Sequence, residues 1–94
     1  MNVPDRVIAD ITRFAKDNGV RKVILFGSRA RGTNRERSDI DIAVSGGDFI
    51  NFYYDIEEKV WTLLMFDIVN LDKPISDELK YEIEKDGVVI YEKI

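Results

Sequence analysis

The 94-residue sequence has no cysteine and no histidine. Without thiols there is no disulfide framework, no thiolate metal site and no cysteine nucleophile. Without imidazole the usual serine triad has no base, so Ser28 and Ser38 are poor candidates for covalent catalysis. Any metal must rest on carboxylates and other oxygens, which favours Mg²⁺ or Mn²⁺ over zinc. Only two prolines and six glycines occur, and 45% of residues are hydrophobic, a composition of a folded chain rather than a disordered one. No apolar run approaches membrane-spanning length, and the N-terminus lacks a signal-peptide core. A soluble, cytoplasmic protein with no membrane partner is expected. The length suits one small domain over residues 1–94.

The formal charge of −4 is unevenly spread. Arg21, Lys22, Arg29, Arg31, Arg35 and Arg37 fall in a stretch whose only acid is Glu36. A local positive field attracts a phosphate-bearing small molecule. The acidic remainder disfavours a long nucleic acid as the main partner.

Pattern reading predicts eight elements. Residues 4–18 form a helix, with Pro4 at its first position and Val7, Ile8, Ile11, Phe14 and Ala15 on one stripe. Residues 21–26 form a strand, broken by Gly27-Ser28, where Ser28 can cap a short helix over about 29–32. A polar loop over 33–37 leads to a strand over 38–45. Its alternation puts Asp39, Asp41 and Ala43 on one face and Ile40, Ile42 and Val44 on the other. A helix over about 49–64 follows, capped by Asp48. It clusters Phe49, Phe52, Tyr53, Ile56, Val60, Leu63 and Leu64, while Ile50, Tyr54 and Trp61 form a second stripe. That second stripe is either covered by the C-terminal segment or a partner surface. A strand over 65–71, a helix over about 77–86 capped by Ser76, and a strand over 88–91 complete the chain.

The connection between the first two strands is too short for a full crossover helix, so they run antiparallel. The second and third strands, joined by a true crossover, run parallel. An α+β fold follows: a small mixed sheet with helices mainly on one face and carboxylates on the other.

Asp39 and Asp41 lie at i and i+2, about 6–7 Å apart at the backbone, close enough to share a metal. Asp67 on the neighbouring parallel strand is placed to complete an oxygen cage; Asp72 competes for that role. We favour Asp67, because a charge between Phe66 and Ile68 is costly without a purpose. An ordinary exposed sheet face is the plain alternative, although aspartate is a poor strand former. Two-metal phosphoryl transfer needs such a carboxylate cluster. Gly27-Ser28 would let backbone and hydroxyl donors approach phosphate, although the dipeptide alone is a weak signal. Arg29 and Arg31 are candidates to touch phosphate or pyrophosphate, whereas Arg35 and Arg37 look like solvated loop charges. No Walker pattern occurs.

GSRARG at 27–32 followed by SDIDIAV at 38–44 resembles the signature of the nucleotidyltransferase superfamily that includes DNA polymerase beta and kanamycin nucleotidyltransferase. The size and element order look most like the minimal nucleotidyltransferase (MNT) proteins of prokaryotes. The resemblance implies that Gly27 and Ser28 hold a triphosphate, that Asp39 and Asp41 bind Mg²⁺, and that Asp67 assists the attacking hydroxyl. Such a chain, lacking an added substrate domain, is expected to receive its acceptor from a partner or from a second copy of itself. Many MNT proteins pair with HEPN-domain toxins, and some move AMP from ATP to a tyrosine of the toxin. The resemblance therefore implies an adenylyltransferase acting as antitoxin. Its rivals are a non-catalytic antitoxin that masks its partner sterically, and a modifier of small molecules such as aminoglycosides.

Overall fold

The computed structural model describes residues 1–94 and contains four helices and four strands. In chain order they are α1 (Asp5–Asp17), β1 (Lys22–Phe26), α2 (Gly27–Arg31), β2 (Ile40–Ser45), α3 (Phe49–Lys59), β3 (Phe66–Asn70), α4 (Asp77–Asp86) and β4 (Val88–Glu92). The strands form one sheet in the order β3-β2-β1-β4. As the connection lengths predict, β1 and β2 are antiparallel, with Phe26 opposite Asp41. β2 and β3 are parallel, with Asp41 opposite Asp67. β4 adds antiparallel to the other side of β1.

One face of the sheet carries the main core. Val23, Leu25, Ile40, Ile42 and Val44 meet Val7, Ile11 and Phe14 of α1 and Phe52 and Ile56 of α3. The alternation in β2 forces this: its isoleucines and valine can leave water only on that side. Between the helices, Asn18 Nδ2 donates to Phe14 O (2.8 Å) and to Asp55 Oδ2 (2.9 Å), and Lys59 Nζ lies 3.0 Å from Asp55 Oδ1. This buried polar seam ties the end of α1 to α3.

The opposite face is not wholly open. α4 packs there through Ile83, against Phe26 and Ala43, with Ile24, Val69, Leu71, Ile75 and Leu79 around them. The expectation of helices mainly on one face therefore holds, with α4 covering part of the other. The weak amphipathicity of α4, a single buried residue in ten, is why its side was hard to read. Caps predicted at Asp48 and Ser76 form, each side chain accepting a backbone N–H three residues on at 3.1 Å. Ser28 does not cap α2. That helix begins at Gly27, and the N-cap position falls on Phe26.

α3 ends at Lys59, five residues earlier than the pattern suggests. Val60 adopts an extended conformation, and residues 60–65 run on as an irregular segment. Leu63, expected in the core, is fully exposed. No helix is long and apolar enough to cross a membrane.

Candidate active site

The site lies where β1 ends and β2 and β3 begin. Strand pairing sets it: Phe26, Asp41 and Asp67 are register partners across three adjacent strands. Neighbouring strands are about 4.8 Å apart, and paired residues point to the same side, so Asp41 and Asp67 stand next to each other on the face away from α1 and α3. Asp39, just before β2, lies two residues from Asp41 on that same side.

Gly27 makes room for this arrangement. Its φ is +75°, a left-handed backbone that side chains other than hydrogen rarely tolerate. A Cβ at this position would fall on Asp41 Oδ2. The turn therefore brings backbone against carboxylate without an intervening side chain. α2 starts there and leaves the N–H groups of its first turn without intrahelical partners, the feature that suits a phosphate.

Asp41 is half-buried, and its carboxyl is pushed up from 3.8 to about 6. Burial is the largest cause, followed by the negative charges of Asp67, Asp39 and Glu82; Arg31 pulls the other way. The three sequence-predicted aspartates therefore share one electrostatic neighbourhood. As they stand, they do not close into a ready metal-ligand set. Asp39 and Asp67 are exposed, whereas Asp41 between them is half-buried. Asp72 is out of contention. Its Oδ2 accepts the Gly46 N–H at 2.8 Å, at the far end of β2.

The two candidate arginines separate. Arg31 Nη1 lies 2.8 Å from Asp86 Oδ2 of α4 and stays half-exposed beside the carboxylates, within reach of an anion. Arg29 does not. It is 4% exposed, and its guanidinium donates to the carbonyl oxygens of Ser38 (2.9 Å), Asn2 (2.9 Å) and Glu36 (3.0 Å). The expectation that Arg29 touches phosphate is thus corrected. The α2 turn points Arg29 inward, where it fastens the 33–38 loop and so the approach to Asp39. Arg35 and Arg37 are exposed, as expected of loop charges. Ser38 supports the same loop, its Oγ accepting the Arg35 N–H at 2.9 Å.

Sequence reading missed Glu82 and Asp86. They belong to α4 and reach the site only because that helix packs on the carboxylate face, a placement no local pattern encodes.

Residues 9–94 match the model of the family described as polymerase beta, nucleotidyltransferase. A protein of Methanocaldococcus jannaschii named "Putative protein adenylyltransferase MJ0604" is 44% identical over 50 residues. That alignment covers 53% of this chain and 48% of the relative, so the chain spans about half the length of the curated relative it matches. Among solved structures, a chain of a toxin–antitoxin complex with AMP-PNP superposes with a TM-score of 0.71 at 27% identity, covering 92% of this chain and 73% of the other. A chain of the MntA–HpeT toxin–antitoxin complex bearing two aspartate-to-glutamate substitutions gives the same TM-score, 0.71, and the same coverage, 92% and 73%, at 25% identity.

Proposed function

The chain belongs to the polymerase beta nucleotidyltransferase family, and from that premise we propose that it moves AMP from ATP to a hydroxyl of a protein partner. What carries this reading is the pairing of Asp41 with Asp67 in register, against a glycine turn that a single methyl group would block.

The donor set suits Mg²⁺ or Mn²⁺. Asp39, Asp41 and Asp67 offer only hard oxygen ligands. The crowding that raises the Asp41 carboxyl is a repulsion that a divalent cation would relieve. When bound, the metal supplies charge neutralisation along the triphosphate and polarises the reacting oxygens. Gly27 and Ser28 would hold the β- and γ-phosphates with backbone and hydroxyl donors, and Arg31 would balance the charge of the departing pyrophosphate. Asp67 would accept the proton of the acceptor hydroxyl. The acceptor oxygen then forms a bond to the α-phosphorus while the bond to the bridging oxygen of the β-phosphate breaks. Adenylated acceptor and pyrophosphate result.

Likeness to the toxin–antitoxin structures supports a toxin as the partner and an antitoxin role for this chain; the family resemblance of the GSRARG and SDIDIAV motifs adds a tyrosine of a HEPN-domain protein as the acceptor we propose. The open arrangement of the three carboxylates favours one rival, inhibition by steric masking with the nucleotide site idle. Incubation with Mg²⁺, labelled ATP and the protein encoded by the adjacent gene separates the two. Catalysis places covalent label on that protein, and replacing Asp39, Asp41 and Asp67 with alanine removes both label and inhibition. Inhibition that survives the triple replacement establishes masking instead.

A further inference from the structure

Residues 60–67 alternate strictly: Trp61, Leu63, Met65 and Asp67 are exposed, while Val60, Thr62, Leu64 and Phe66 are buried or half-buried. The exposed residues thus run Trp61, Leu63 and Met65, through a bend at Leu63 and Leu64, to a proposed catalytic carboxylate. Trp61 is 81% and Met65 67% exposed, and Leu63 has no cover at all. Three large apolar side chains exposed within five residues of a small acidic chain are costly to solvate and mark an interaction surface. Leu64 and Val60 anchor the segment in the main core, and Ile40 N donates to Met65 O at 2.9 Å, so the row is held against the start of β2.

Its position relative to the site decides its use. Resting on the reading above, the pyrophosphate end of the nucleotide lies at Gly27-Ser28, on the β1 side of Asp41. An in-line displacement brings the attacking oxygen from the opposite side. That side is β3, where Asp67 stands and where the apolar row leads away. The acceptor must therefore arrive across Met65 and Leu63.

Charge narrows the occupant. Glu36 and Arg37 line one hollow with Leu63 and Met65, and Arg6 lines the adjoining hollow with Trp61 and Leu63, where no acid balances it. Neither arginine takes part in any of the four ion pairs of the fold. Two copies meeting symmetrically through the Trp61 hollow would oppose their own Arg6 side chains. We infer that the Trp61–Leu63–Met65 row, with Arg6 and Arg37 beside it, is the surface on which the acceptor protein docks. The matching segment is apolar and flanked by acidic side chains, and it carries the hydroxyl to be modified.

The test uses the full chain, the protein encoded by the adjacent gene, and the variants Leu63→Asp and Arg37→Glu. Both replacements are at exposed positions, and circular dichroism verifies the fold. Three quantities are measured: affinity for the partner, label transferred to it from ATP, and partner-independent, Mg²⁺-dependent hydrolysis of ATP to AMP and pyrophosphate, with water as the acceptor. Leu63→Asp is expected to weaken affinity and label transfer by about thirtyfold, as for a central interface residue, and to leave pyrophosphate release within about twofold. Arg37→Glu is expected to weaken association by about tenfold at low salt and less at high salt. Affinity unchanged within about threefold in Leu63→Asp overturns the inference, as does the absence of any complex with the unaltered chain. So does a Leu63→Asp effect confined to self-association by sedimentation. If no label or pyrophosphate appears with any variant, the transferase reading fails while the affinities still decide the surface.

Discussion

Asp41 and Asp55 are both carboxylates withdrawn from water in the same small fold, yet their surroundings push them in opposite directions. Asp55 sits in the seam between α1 and α3, where the Asn18 amide and then the Lys59 ammonium hold its carboxyl below the ordinary 3.8. Asp41 sits among Asp67, Asp39 and Glu82 and is driven up to about 6. Burial acts against the charge in both places. The difference is that the fold supplies donors for one and further acids for the other. A satisfied carboxylate fixes structure; an unsatisfied one, kept that way by three elements, is the kind of group our proposal assigns to a ligand.

The contrast can be broken most sharply by removing one charge at a time. Asp41→Asn should lower label transfer by about a thousandfold through loss of a metal-binding oxygen, whereas Asp55→Asn should leave it within about threefold; initial rates with labelled ATP measure both. Next in size is Gly27→Ala, which forces a methyl group onto Asp41 Oδ2 in a left-handed backbone. It should cost about 2–3 kcal/mol of stability in urea titration and weaken ATP binding by at least about tenfold. Asp55→Ala removes one of the two acceptors of the Asn18 amide and the partner of Lys59, and should cost about 2 kcal/mol at pH 7. Because the folded-state pKa of Asp55 is depressed, its contribution is present above the unfolded value of 3.8 and disappears as pH falls through the lower folded value. The gap between variant and parent should therefore narrow in strong acid.

The smallest effect has the opposite sign. A raised folded-state pKa means that Asp41 contributes stability below its unfolded value of 3.8, which is lost as pH rises through about 6. In metal-free protein, Asp41→Asn should thus be more stable than the parent at pH 7.5, by roughly 1 kcal/mol after discounting for the half-exposed carboxyl. The gain should vanish near pH 4. Thermal unfolding at the two pH values measures it. An asparagine that destabilises at pH 7.5 would mean that Asp41 is as well partnered as Asp55.

Much of this was readable in the sequence, for identifiable reasons. The alternation of Ser38 to Ser45 fixed which side of β2 the aspartates occupy, and the short first connection fixed the strand directions. What escaped was set by tertiary packing. Arg29 looked like a phosphate ligand because it lies on the short helix that follows Gly27-Ser28, but the α2 turn buries it against three carbonyl groups. α3 stops at Lys59 because the chain turns extended at Val60, so Leu63 went from expected core to exposed row. Asp55 did leave a trace, a lone acid next to Ile56 on an otherwise apolar stripe with a lysine four residues on. Glu82 and Asp86 left none, because only the docking of α4 brings them near.

The central claim is that Asp41 is held short of a partner that a divalent cation with nucleotide provides. Carboxyl-carbon NMR of ¹³C-labelled protein follows it directly. Asp41 should titrate near pH 6 alone and fall below about pH 5 with Mg²⁺ and a non-hydrolysable ATP analogue. A titration unmoved by those ligands, or already at the ordinary carboxylate value without them, would contradict it.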